Sequence, residues 1–103
     1  MAEAIRDGSI GLLVTANGLR STPLLLWTYG RVEIPFPYMK KPFDAPAKRE
    51  ELRVRLNEID GVSLPRDAIY KRPSIPIVTF SEKDALSRFL DVMDWCIREL
   101  RSA

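Results

Sequence analysis

Apolar and polar positions alternate along the first third of the chain, which is the pattern of strands with one buried face. The run 10–16 is followed by Asn17-Gly18, a dipeptide that favours a two-residue hairpin turn because both residues tolerate positive φ. The runs 24–28 and 32–38 have the composition of two further strands. We therefore predict three antiparallel strands that follow one another as a meander.

Two prolines lie at alternate positions of the third predicted strand. Successive N–H groups of a strand point to opposite edges, so Pro35 and Pro37 would remove donors from the same edge. We therefore predict that this strand is the border of the sheet, where one edge forms no hydrogen bonds with another strand. Its buried face would carry Val32, Ile34, Phe36 and Tyr38.

Helical spacing of apolar residues appears twice in the second half of the chain. A helix is predicted over 45–59, with Asp44 as its N-cap and a proline in its first turn. A longer amphipathic helix is predicted to begin at Ser81, with Asp84 as the acidic partner of a capping box. Between the helices, 75–80 is predicted as a fourth strand, or as an extended segment that its prolines keep at the margin of the sheet.

The order of these elements predicts an α+β fold: a three- to four-stranded, mainly antiparallel sheet with two helices packed on one face. The second helix is the long amphipathic C-terminal one. The 103 residues are predicted to form a single domain over 1–103, with 1–9 as its least ordered part. The apolar positions predict a core of Leu12, Val14, Leu26, Val32, Ile34, Phe36, Leu52, Leu56, Ile77, Leu86, Phe89, Leu90, Met93 and Ile97.

The composition argues against several classes of site. The chain has no histidine, which removes the commonest general base and the commonest zinc ligand. Its single cysteine, Cys96, lies on the apolar stripe of the last helix, so we predict a buried and unreactive thiol. A single cysteine cannot form an intrachain disulfide, which indicates a cytoplasmic location. We predict no cofactor and no membrane partner, since there is neither a glycine-rich phosphate loop nor an apolar run of bilayer length.

Glu33 is the carboxylate that a metal-dependent nuclease site would use on a strand. Such sites often place a lysine two residues after the glutamate, and here Pro35 occupies that position. We therefore predict no catalytic and no metal-binding residue. Glu33 is interpreted as a solvated strand residue that pairs with Arg31 or with a cation on a neighbouring strand.

Basic and aromatic residues form the predicted binding surface. Trp27, Tyr29 and Arg31 alternate along the chain, which places two rings and a guanidinium on the outer face of the sheet. Rings that stack on bases and cations that contact phosphate are typical of single-strand binding. The alternative is that Trp27 packs under the terminal helix and the charges serve solubility. The predicted binding residues are Trp27, Tyr29, Arg31, Glu33, Lys40, Lys41 and Arg72.

Self-association is the other predicted property. Trp27, Tyr29 and the two alternate prolines would form a large exposed patch for so small a monomer. Trp95 is also offset from the main apolar stripe of its helix. Either the N-terminal segment or a second copy covers these groups, and the second copy predicts a symmetric dimer.

Four motifs carry a resemblance to a known family: LWTYGRVEI at 26–34, LNEIDGVSLP at 56–65, RPSIP at 72–76 and FLDVMDW at 89–95. With them the chain resembles an uncharacterised bacterial C-terminal domain of hypothetical proteins, some of which have nuclease-like or DNA-modification neighbours. That family has a further N-terminal part and usually has polar residues at the two proline positions. The resemblance implies a shortened, stand-alone relative, such as the product of a mobile gene cassette, and supplies no catalytic residue.

Taken together, these patterns predict a non-enzymatic interaction or ligand-binding module that forms a homodimer. The alternative is a nucleic-acid-binding accessory domain related to nuclease-like proteins, and an enzyme ranks third. The net charge of +2 is too small to favour nucleic acid by itself.

Overall fold

The computed structural model describes residues 2–6, 9–16 and 18–102. It confirms the α+β fold, with one antiparallel sheet and two helices, and the sheet has five strands rather than three or four. The strands lie side by side in chain order: β1 Ala2–Arg6, β2 Ser9–Ala16, β3 Leu19–Trp27, β4 Arg31–Glu33 and β5 Ser74–Pro76. The helices are α1 Pro46–Asn57 and α2 Lys83–Ser102, and short 3₁₀ turns span Phe36–Tyr38, Arg66–Tyr70 and Ile77–Phe80.

The predicted hairpin joins β2 to β3. Ala16 pairs with Leu19, so the connection has two residues, and Gly18 has a φ of 77° as such a turn requires. Asn17, the other residue of the turn, lies outside the described residues. The register shifts between Leu12 and Val14, and the extra residue on β3 falls beside Pro23. A bulge is where a strand can hold a proline, because the ladder is already interrupted there.

The prediction that 32–38 forms a border strand is wrong. β4 has only three residues and lies between β3 and β5, so it is paired on both sides. After Glu33 the chain turns, and the N–H of Tyr38 donates to the carbonyl of Pro35 at 3.0 Å. The two prolines therefore end the strand and start a 3₁₀ turn, since each proline's fixed φ and missing donor disfavour a longer ladder.

The border strand on this side is β5. Two backbone hydrogen bonds flank its pairing with β4: Ile34 N–H to the carbonyl of Pro73 at 2.9 Å, and Ile77 N–H to the carbonyl of Gly30 at 2.8 Å. Because N–H groups alternate along a strand, the N–H of residue 76 would point away from β4, toward the open edge of the sheet. Pro76 has no N–H, so this edge lacks a donor there. The fourth predicted strand is therefore confirmed over Ser74–Pro76 and blunted by proline, whereas 77–80 forms a 3₁₀ turn instead.

The helices begin later than the sequence predicts. The N-cap of α1 is Ala45 rather than Asp44, and no side chain caps it. Pro46 follows at the first position, where its missing N–H has no consequence. The hydroxyl of Ser81 donates to the carbonyl of Val78 at 2.7 Å, at the end of the preceding 3₁₀ turn. α2 then begins at Lys83.

Most of the predicted core is buried, but two of its members are only partly buried and four are exposed. Leu12 and Ile97 are partly buried, while Leu26, Ile77, Leu86 and Leu90 have between 38% and 53% of their surface exposed. The buried residues of the predicted core are Val14, Val32, Ile34, Phe36, Leu52, Leu56, Phe89 and Met93.

Trp95 occupies the contact between the two helices, so the prediction that the N-terminal segment or a second copy covers it is wrong. Its ring meets Phe43 edge-on at 5.6 Å, and the guanidinium of Arg55 lies 4.1 Å from its centroid. Lys48 of α1 pairs with Glu99 of α2 beside it. The side of α2 that carries Trp95 faces α1 instead of water, so this helix buries more than one stripe.

No helix within the described ranges is both long enough and apolar enough to cross a membrane.

The variant Trp95→Ala is expected to lower the free energy of unfolding by about 3–5 kcal/mol, because it leaves a cavity between the helices. Urea denaturation followed by circular dichroism measures the change. Val54→Ala, at an exposed apolar position of α1, is the control and should change the free energy by no more than about 0.5 kcal/mol. Equal effects of the two variants would show that Trp95 is not a core residue.

Candidate functional site

Strand alternation separates the sheet into two faces with different chemistry. On one face, Leu24, Leu26 and Val32 point toward α2, where they line an apolar groove. On the other, Trp27 lies opposite Arg31 in the register, and Leu25 lies opposite Glu33. Each face presents one candidate site.

The second face carries the aromatic–arginine surface, which we define as Trp27, Tyr29, Arg31, Tyr38 and Arg72. Tyr29 stacks on Trp27 with 5.5 Å between ring centroids and 25° between ring planes. The guanidinium of Arg72 lies 5.3 Å from the centroid of Tyr38. Tyr38 was predicted to point into the core, and its exposure follows from the 3₁₀ turn that replaces the predicted strand.

Glu33 joins the aromatic and basic parts of this surface. It is only 6% exposed, so the prediction of a solvated residue is wrong. Its carboxylate accepts a hydrogen bond from the indole Nε1 of Trp27 at 2.9 Å and a second from Nε of Arg72. The bond to Glu33 raises the pKa of Arg72 above its ordinary value, because the carboxylate stabilises the charged guanidinium. One buried carboxylate thus fixes the orientation of two side chains.

Arg31 pairs with Ser74 rather than with Glu33. Its Nε donates to the hydroxyl of Ser74 at 2.7 Å, and its Nη2 donates to the carbonyl of the same residue at 2.9 Å. These bonds hold the guanidinium across β4 and β5, on the same face as Trp27. An arginine has five N–H donors, so two such bonds leave it able to bind an anion.

Of the predicted binding residues, the structure brings Trp27, Tyr29, Arg31, Glu33 and Arg72 together. Lys40 and Lys41 are exposed in the loop after the 3₁₀ turn, where the backbone N–H of Lys40 donates to the hydroxyl of Ser21 at 3.5 Å. Among the described contacts, no hydrogen bond, ion pair or ring contact joins either lysine side chain to the other five residues.

The first face carries the second feature, which we call the α2 groove. It has a volume of about 390 Å³, and every described side chain that lines it is apolar. The four predicted core residues that are exposed all lie on its walls. The lining residues are Gly11, Leu12, Leu24, Leu26, Val32, Ile77, Phe80, Leu86, Phe89, Leu90 and Met93.

Sequence reasoning missed the groove, although one signal indicates it. The apolar residues of α2 extend from Leu86 and Leu90 around to Trp95 on the opposite side of Phe89. That arc is wider than the stripe of roughly 100° that one packing surface needs. α1 and the sheet cover most of the arc, and the strip with Leu86 and Leu90 remains at the groove.

Cys96 offers no nucleophilic chemistry in the folded chain. It is fully buried in α2, and burial, with a smaller contribution from Glu99, raises the pKa of its thiol to about 12. The thiolate is the reactive form, so little of it exists at neutral pH. In the part of the chain that the structure describes, no group of three or more acidic or cysteine side chains could hold a metal ion.

Comparisons of the chain with models of protein families, with curated proteins and with solved structures find no match. The function is therefore argued from these two surfaces.

The variant Glu33→Ala is expected to lower the free energy of unfolding by about 1–3 kcal/mol, because Trp27 and Arg72 both lose a buried acceptor. Glu33→Gln should cost less, since its amide oxygen can still accept from the indole. Urea denaturation measures both, with Glu58→Ala at an exposed position as the control. An effect no larger than that of the control would contradict the role given to Glu33.

The thiol of Cys96 is expected to resist modification by a disulfide reagent at mildly alkaline pH and to react fully once denaturant is added. Absorbance of the released thiolate follows the reaction. Rapid stoichiometric reaction of the native protein would show that the thiol is accessible and ionised.

Proposed function

We propose that the protein is a non-catalytic interaction module that forms a symmetric homodimer through the α2 groove. The observation that carries the proposal is the exposure of four aliphatic side chains around a groove whose described lining side chains are all apolar. Contiguous exposed apolar surface of this kind marks interaction sites on small proteins.

The chemistry of the groove favours a protein surface over a small molecule. Small-molecule sites combine an apolar wall with a few polar groups that orient the ligand. Among the described residues, none that lines the α2 groove supplies a polar side chain. Apolar side chains from a partner need no such groups, because burial alone stabilises them.

A second copy is the partner that the shape supports. Leu86 and Leu90 line the groove and also extend outward from α2, so each chain offers both a cleft and a row of aliphatic side chains. In a two-fold dimer the same patch meets itself, and this arrangement lets the leucines of each chain enter the groove of the other. Pairing through the β5 edge is the less favourable route, since Pro76 lacks a donor there.

A compartment and an origin belong to the same proposal. A cytoplasmic location is supported by a single, unpaired cysteine. An origin as a bacterial mobile gene cassette is supported by the sequence resemblance alone.

Light scattering after size exclusion tests the dimer. Wild-type protein should show twice the chain mass of 11.8 kDa. Leu90→Lys should weaken dimerisation by roughly two orders of magnitude or more, because an unpaired charge in an apolar contact costs about 3–5 kcal/mol. Circular dichroism checks that the variant remains folded, which its exposed position leads us to expect.

Val54→Lys is the matched control for this experiment. Val54 is 47% exposed, close to the 53% of Leu90, but it lies on α1 and does not line the groove. This variant should keep the dimer mass. A monomeric wild type at the highest soluble concentration, or dissociation by both variants alike, would overturn the proposal.

A further inference from the structure

We propose that the aromatic–arginine surface binds single-stranded nucleic acid by stacking unpaired bases on Tyr29 and Tyr38. This site lies on the sheet face opposite the α2 groove, so the inference stands whether or not the chain dimerises. Its evidence is the arrangement of two exposed rings, two guanidinium groups and the buried carboxylate beneath them.

The rings are the first step of the argument. Tyr29 packs one side of its ring on Trp27, which supports it, and still leaves 66% of its surface exposed. Tyr38 is 64% exposed, and the guanidinium of Arg72 lies over one face of its ring. Exposed aromatic rings supported from below are the platforms on which unpaired bases stack, and every base has a face that can stack.

The cations are the second step. Arg31 and Arg72 lie on the same sheet face as the rings, and each is held by a hydrogen bond to its neighbour, Ser74 or Glu33. Guanidinium groups bind phosphate oxygens with fixed geometry and also stack on bases. A strand whose bases lie on the tyrosines would therefore have its backbone within reach of these two cations.

The buried carboxylate is the third step. Because Glu33 binds both Trp27 and Arg72, the ring support and one cation keep their positions before any ligand arrives. Such preorganisation lowers the entropy cost of binding. Glu33 also cancels part of the positive charge, so the surface favours stacking with a few phosphate contacts over a broad electrostatic track.

Unpaired strands fit this surface better than duplex does. Stacking on a tyrosine requires a base that is free of its partner strand. The weak net charge of +2 offers little of the phosphate neutralisation on which non-specific duplex binding depends.

Fluorescence anisotropy with a labelled oligothymidine at low salt tests the proposal. Wild type should bind, and Tyr29→Ala should weaken binding by roughly 5- to 150-fold, the effect of one lost base stack. Tyr29→Phe keeps the ring and should bind as wild type does. Arg72→Ala should reduce the slope of log K against log salt by about 0.7, the value for one phosphate contact to a single strand.

Tyr70→Ala is the matched control, because Tyr70 is 62% exposed but lies on another 3₁₀ turn, outside this surface. It should leave the affinity unchanged, and circular dichroism checks that all variants are folded. Failure of wild type to bind, equal losses from Tyr29→Ala and Tyr70→Ala, or duplex binding as tight as single-strand binding would each overturn the inference.

Discussion

The pairing of β4 on both of its edges is the constraint on which the rest of the structure depends. Three residues form this strand, with β3 on one side and β5 on the other. Alternation then fixes where each side chain points: Val32 toward the core and the α2 groove, and Glu33 toward the aromatic–arginine surface. A shift of one residue would exchange the faces and bury a carboxylate among aliphatic side chains. The register therefore determines both candidate sites.

The packing of α2 explains why one face remains open. This helix uses Phe89 and Met93 against the sheet side and Trp95 against α1, so it is held from two directions. Leu86 and Leu90 then remain at the edge of both contacts. Because their apolar surface stays in contact with water, the monomer does not gain the free energy of burying it. A partner that covered this surface would gain roughly 25 cal/mol for each Å². The groove is the consequence of a helix with more apolar surface than the described residues of its own chain cover.

The sequence alone predicted the features that depend on residues close together in the chain. The hairpin at Gly18, the two helices and the margin position of the Pro76 segment all follow from turn chemistry, spacing and missing donors. The place of β4 could not be predicted, because it depends on pairing with β5 about forty residues later in the chain. The same long-range pairing brings Arg72 to Glu33, which local alternation had assigned to solvent.

The same difference between local and long-range causes applies to the candidate sites. Trp27, Tyr29 and Arg31 do lie together, but they meet across the turn between β3 and β4 rather than by alternation along one strand. Helical periodicity assigned Leu86 and Leu90 to the core. The pattern shows that these positions are apolar, but it does not show whether another element covers them. Trp95 is the opposite case: its place in the helical pattern lies off the main apolar stripe, yet α1 covers it. Burial is a property of the packed elements, and a helical pattern alone leaves it undetermined.

Amide hydrogen exchange at Ile34 and Ile77 tests the central claim most directly. Their N–H groups donate to Pro73 and Gly30, and both bonds exist only if β4 lies inside the sheet in this register. Both amides should exchange far more slowly than those of exposed loops, with protection lost together on unfolding. Exchange of either amide at the rate of an unfolded chain would contradict the internal position of β4 and the assignment of both faces.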